Sequence, residues 1–95
     1  MKEYTDLCLS NLKELVKLVV AENVNQYAKW GVQTHSAFEW LAHTTEELGE
    51  LAEAISEYEY RQGGKEEIIA ESIQVATVSL KIAEMFMEVR WKILT

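Results

Sequence analysis

Ser36-Ala37-Phe38-Glu39-Trp40-Leu41-Ala42-His43-Thr44-Thr45-Glu46-Glu47-Leu48-Gly49-Glu50-Leu51-Ala52-Glu53-Ala54-Ile55 is the stretch on which the fold turns. Phe38, Leu41, Thr45, Leu48, Ala52 and Ile55 recur three and four apart, which aligns them in one stripe on a helix of about 3.6 residues per turn. The pattern predicts a helix from about Ser36 to Tyr60, with the stripe turned to a core and Glu39, Glu46, Glu53 and Glu57 on the solvated side. Ahead of it, Trp30-Gly31-Val32-Gln33-Thr34-His35 reads as a break. Gly31 can take the positive φ of a helix C-cap, and Thr34 or Ser36 can cap the helix that follows.

Working outward, an earlier helix is expected from about Lys2 to Ala28, because Cys8, Leu12, Leu15 and Val19 repeat at four, three, four, with Leu9, Val16 and Val20 beside them. On the other side Gly63-Gly64 ends the acidic helix. Glu66 and Glu67 then suit the first turn of a third helix, reaching about Trp91. Ile68, Val75, Val78, Ile82, Phe86 and Val89 form one stripe of it, while Ile69, Ile73, Ala76, Leu80 and Met87 cover much of the opposite side. A helix apolar on most of its circumference must be covered from several directions, which asks for a tight bundle or a second subunit. The expected fold is all-α: an antiparallel bundle of three long helices with room for a short fourth, completed by oligomerisation as a homodimer or dimer of dimers. Residues 1–95 read as a single domain, without internal repeat or linker.

Composition agrees. The 95 residues include no proline and four glycines, too little punctuation for a sheet protein that needs a turn every ~8 to 12 residues. Sixteen acids against nine bases leave a formal net charge of −7, the wrong sign for a groove that binds a nucleic-acid polymer. A phosphorylated small molecule would need a divalent cation to bridge it to so many carboxylates. Cys8, the single cysteine, cannot form an internal disulfide, and the acidic start of the chain does not resemble a signal peptide. A cytoplasmic protein with no membrane segment is the expectation.

Chemistry concentrates on the second and third helices. Glu47 projects about 100° from Leu48, at the border of the stripe, with Glu50 one turn on, so the two carboxylates can converge on one ion. A Glu-rich solvated helix is the alternative for this pair. Glu71 projects within about 40° of Val75, inside the apolar stripe of the third helix, where an ionised carboxylate must be paired, coordinate a metal or take up a proton. Glu67, Gln74 and Lys81 continue a polar seam with it. Three carboxylates and the Gln74 amide oxygen facing each other would make a hard, oxygen-only cage that suits Mg²⁺ or Mn²⁺. The alternative is an ion pair of Glu71 with Lys81 or Lys29. Trp30 and Trp40 can stack on a nucleobase or pack as core. His35 and His43 read as surface or hydrogen-bonding residues. Lys81 can serve as a phosphate partner or pair with Glu84 or Glu88.

Glu46-Glu47-Leu48-Gly49-Glu50 followed, after Gly63-Gly64, by Glu71-Ser72-Ile73-Gln74 resembles the paired Glu-Glu-x-x-Glu and Glu-x-x-Asp motifs of the MazG-like all-α nucleoside triphosphate pyrophosphohydrolases. Gln33-Thr34-His35 is similar to a segment ahead of the first motif in some members, and the resemblance covers roughly Lys29 to Met85. It implies Mg²⁺-dependent cleavage of a (d)NTP between the α and β phosphorus atoms, giving (d)NMP and pyrophosphate, with clearance of non-canonical nucleotides as the use. Under it Glu47, Glu50 and Glu71 are metal ligands and Gln74 stands where the family has Asp. A spare carboxylate, Glu46 or Glu47, would take the proton of the attacking water. Lys81, Trp40, Trp30 and His35 would contact substrate. An amide at Gln74 brings no charge and cannot act as a base, so a non-catalytic nucleotide-binding or protein-interaction module of the same fold is the competing expectation.

Overall fold

The computed structural model describes residues 9–87. Three helices follow in order: α1, Leu12–Trp30; α2, Ala37–Tyr60; and α3, Lys65–Met85. They pack into an all-α bundle in which α3 lies against both α2 and α1. No strand and no fourth helix occurs among the described residues.

Local chemistry sets the boundaries. Ser36 is the N-cap of α2, and the capping box is complete: the Glu39 amide donates to Ser36 Oγ at 3.2 Å and the Ser36 amide donates to Glu39 Oε1 at 2.8 Å. These bonds, the backbone one first, hold the Glu39 carboxyl below its ordinary value. Gly31, at φ 70°, ends α1, and its amide donates to the Tyr27 carbonyl at 2.7 Å. At the turn between α2 and α3 the left-handed residue is Gln62, at φ 60°. Gly63 is needed there for closeness instead, since a Cβ on it would lie 3.0 Å from Glu57 Cβ. Gly63 donates its amide to the Glu57 carbonyl, 2.9 Å away.

The periodicity expects a helix unbroken across residues 9–11, and there the structure departs from it. Residues 9–11 form a turn, with Leu9 at φ 61° and the Leu12 amide donating to the Leu9 carbonyl at 3.1 Å. Ser10 and Asn11 favour such turns through their short polar side chains. The helix also runs two residues past Ala28, to Trp30. The third helix gives way to a turn at Phe86, short of Trp91. Cys8, the segment before it, and residues 88–91 lie outside the described residues.

The larger departure is rotational. The apolar stripe expected to face the core from α2 points outward: Phe38 is 83% exposed, and Leu41, Leu48 and Ile55 are also exposed. Trp40, Thr44, Glu47, Leu51 and Ala54 face inward instead, roughly a quarter-turn around the helix. On α1 the inward residues are Leu15, Val19, Glu22 and Gln26, while Leu12, Val16, Val20, Val24 and Tyr27 form an exposed stripe. Among the described residues, only Trp40, Ala54 and Val78 are buried apolar side chains, and the one side chain fully out of water is Thr77. Among the described residues, α1 and α2 therefore each carry an exposed apolar face.

Candidate functional site

Because α2 and α3 are joined by the tight turn at residues 61–64, they run antiparallel and bring Glu47 and Glu50 opposite Glu71. One carboxylate oxygen from each lies within 4.8 Å of those of the other two. Glu47 and Glu71 are half-buried and Glu50 is exposed. Glu47 Oε2 and Glu71 Oε2 are buried without a hydrogen-bond partner, an arrangement that costs free energy unless a proton or a cation satisfies it.

The electrostatics follow from this crowding. Burial first, then the Glu50 charge, then those of Glu47 and Glu67, push the Glu71 carboxyl up to about 7. Glu47 is raised too, by burial and then by the charges of Glu50, Glu22 and Glu46. An acid held protonated near neutrality can donate to the neighbouring Glu50 carboxylate, and it yields its site to a cation by releasing the proton.

Beside the cluster, a cleft of about 520 Å³ is lined by Glu50, Glu53, Glu57, Gly63, Glu67 and Glu71, among others. Glu53 and Glu57 thus belong to the cleft wall and not to a remote solvated face, a consequence of the rotation of α2. Gln74 is half-buried one turn beyond Glu71 on α3, and Glu46 is exposed next to Glu47.

Lys81 makes no ion pair with Glu71 or Glu84. Its ammonium donates to Gln26 Oε1, and Gln26 Nε2 in turn donates to Glu22 Oε2 at 2.8 Å. The Lys81 nitrogen lies 5.8 Å from the centre of the Trp40 ring, and burial lowers its pKa while the Glu22 charge opposes the change. Lys29 is likewise not paired with Glu71; its nitrogen sits 5.4 Å over the Trp30 ring. Among the described residues, the ion-pair alternative for Glu71 finds no partner. Glu88 lies outside them.

A second pocket, of about 500 Å³, opens between the end of α1, residues 31–36 and the end of α3. Gln26, Tyr27, Gln33, His35, Trp40 and Lys81 contribute to its wall. His35 meets Trp40 nearly edge-on, with ring centres 4.8 Å apart, and its Nε2 is buried without a partner. Its Nδ1 lies 3.8 Å from Glu39 Oε2, and the His43 ring is 4.9 Å away. Of the two tryptophans singled out above, Trp40 is core and pocket wall at once, whereas Trp30 is 56% exposed and lies outside the wall.

Glu22 and Gln26 are the residues that sequence reasoning passed over. Their signal was present: they continue the Leu15, Val19 spacing of α1 by three and four, so two polar side chains occupy an apolar stripe just as Glu71 does on α3. Compared with protein-family models, with curated proteins and with solved structures, the chain finds no match.

Proposed function

We propose that the protein is a cytoplasmic, Mg²⁺-dependent nucleotide pyrophosphohydrolase that cleaves a (d)NTP to (d)NMP and pyrophosphate, in the manner of the MazG-like enzymes its motifs resemble. The observation that carries this reading is the convergence of Glu47, Glu50 and Glu71, two of them with an unpartnered buried oxygen, beside an open cleft of about 520 Å³. A donor set made only of carboxylate oxygens fits a hard cation, Mg²⁺ or Mn²⁺, and not Zn²⁺. Glu47, Glu50 and Glu71 would hold it, with Gln74 lending an uncharged amide oxygen. When bound, such a cation neutralises phosphate charge and polarises the phosphoryl group. The acidic cleft alone would repel a triphosphate, and a cation held by these carboxylates would supply the missing positive charge.

The chain's own residues do the rest. Glu46 or Glu47 accepts a proton from water as its oxygen bonds the α-phosphorus; the bond from that phosphorus to the α–β bridging oxygen breaks, and pyrophosphate leaves with the electron pair. Trp40 and His35 hold the nucleoside end, and Lys81 meets a phosphate oxygen. A homodimer or dimer of dimers, formed through the exposed stripes of α1 and α2, covers the apolar surface left by one chain. Incubation with a panel of canonical and modified NTPs and dNTPs in the presence of Mg²⁺ or Mn²⁺ tests the reading. Pyrophosphate release is expected from at least one, abolished in Glu47→Gln and Glu71→Gln and retained in Glu59→Gln on the exposed side of α2. No release from any of them overturns it.

A non-catalytic nucleotide-binding or protein-interaction module is the second reading, favoured by the uncharged Gln74 and by the extent of exposed apolar surface. Nucleotide binding without turnover in the same panel would select it.

A further inference from the structure

The exposed stripes of α1 and α2 open to the same side of the bundle. Both helices pack against α3 more than against each other. Lys81, late in α3, reaches Gln26, late in α1, so α1 and α3 run the same way and α2 runs against both. On α1 the stripe centres near Val16 and Tyr27, about 110° onward, in the sense of the chain's rotation, from the inward line of Leu15, Val19, Glu22 and Gln26. On α2 it centres near Thr45 and Ala52, about 130° onward from the inward line of Trp40, Thr44, Glu47 and Leu51. Similar turns in helices of opposite direction, on the two flanks of α3, point to one common face. Two stripes roughly 28 and 36 Å long and about 10 Å wide give it a footprint on the order of the ~800 Å² that a stable interface takes from each partner.

The two stripes differ in what borders them. Further along the same rotation, at the outer edge of the face, lie Lys13 and Lys17 on α1 but Glu46 and Glu53 on α2, all four exposed. Residues 37–60 of α2 include no lysine or arginine at all. Lys17 also lies 3.4 Å from Glu14, an exposed pair one turn back that holds it only weakly. Heights match as well. Measured down each helix from the connection at residues 31–36, Lys17 and Lys13 stand about 20 and 26 Å along α1, and Glu53 about 24 Å along α2.

A second copy can lay the same face on this one in two symmetric ways. A two-fold axis across the helices sets α1 on the partner's α1 and α2 on its α2, whereas an axis parallel to them sets α1 on the partner's α2 and keeps every residue at its own height. Both cover the same apolar stripes, so the borders decide. The first arrangement opposes lysines to lysines and glutamates to glutamates. The second brings Lys13 and Lys17 level with the partner's Glu53, twice over. We infer that the chain pairs with a second copy in the crossed manner, α1 of each on α2 of the other, with Lys13 and Lys17 facing the partner's Glu53 along both outer edges. The inference rests on the reading of the two stripes as a homodimer surface, and not on hydrolysis.

Charge reversal separates the arrangements, because reversing the α1 lysines leaves a like-on-like interface as repulsive as before but turns the crossed one from attraction to repulsion. Dimer dissociation constants at low salt, by sedimentation equilibrium, are the measurement. Lys13→Glu with Lys17→Glu should weaken the dimer about tenfold or more, since four surface contacts change sign. Adding Glu53→Lys should restore it to within about threefold, and adding Glu66→Lys on α3, an equal change in net charge, should not. As a check that does not depend on charge, Val20→Cys and Leu48→Cys stand about level on α1 and α2. Made separately in a Cys8→Ser background and refolded together, the two chains should be joined to each other by a short bis-maleimide, and neither should be joined to its own kind. An unchanged dimer after lysine reversal, equal rescue by Glu66→Lys, or cross-links within one variant would overturn the crossed pairing while leaving the homodimer in place. A native chain that stays monomeric overturns both, and neither result bears on pyrophosphate release.

Discussion

Glu71 concentrates the tension of the molecule in one carboxyl group. Its pKa rises from the ordinary 4.5 to about 7 on folding, first because of burial. Between those values the folded chain holds a proton that the unfolded chain has released, so the folded state binds more protons and stability falls as pH rises. The contribution is present in full below about 4.5 and lost above about 7. In the metal-free protein, Glu71→Gln, which cannot ionise, should remove this decline and raise the Tm relative to the native chain at about pH 8. Added Mg²⁺ should raise the native Tm more at about pH 8 than at about pH 5.5, because coordination requires the ionised group. Thermal melts across this range check both; parallel Tm curves for the native chain and Glu71→Gln would contradict the assignment. Glu71 was legible from sequence because a lone acid in an apolar stripe demands an explanation. Gln26 and Glu22 posed the same question on α1, where neither resembled a ligand motif.

At the scale of the element, α2 shows what periodicity can and cannot give. Its existence, its N-cap and its end near Tyr60 follow from local chemistry: the Ser36–Glu39 box and the close turn at Gly63. Ser36→Ala should cost about 1 kcal/mol through loss of the cap. Gly63→Ala should destabilise the turn through its approach to Glu57, and urea unfolding of both variants measures the losses. An unchanged midpoint for Gly63→Ala would mean that the turn opens at little cost. The facing of α2 was not legible in the same way. Its strongest apolar stripe points away from α3: two faces of this helix are apolar enough to bury, and the described residues cover only one. Helical projection ranks faces by hydrophobicity and has no means of knowing how many partners a helix has. Glu53 and Glu57, assigned to solvent by that projection, consequently line the acidic cleft.

For the whole molecule, the uncovered stripes are the dominant fact. Burying a Val or Leu side chain contributes about 1.5–3 kcal/mol, and Leu12, Val16, Val20 and Val24 on α1 and Leu41 and Leu48 on α2 remain exposed. A chain of 95 residues has little stability to spare without that contribution. Light scattering coupled to size exclusion should therefore give an even multiple of the 10.9 kDa chain mass. Leu41→Glu with Leu48→Glu should reduce it to one chain or precipitate the protein, since charges on that face oppose association. A native protein that elutes as a soluble monomer would show that these stripes serve another partner.

The brevity of the two connections, residues 31–36 and 61–64, sets the order of events during folding. Each joins helices that are neighbours in the chain, so little loop-closure entropy stands between the coil and the hairpin, and a topology this local favours folding in microseconds to milliseconds. Encounter between two chains is a bimolecular step whose rate scales with concentration. Dilution should thus separate a fast, concentration-independent gain of helix from a slower burial of the outer stripes. With the stripes pairing between chains as proposed, the newly made monomer would pass through an interval in which its greasiest surfaces face water, most exposed then to aggregation and to capture by chaperones.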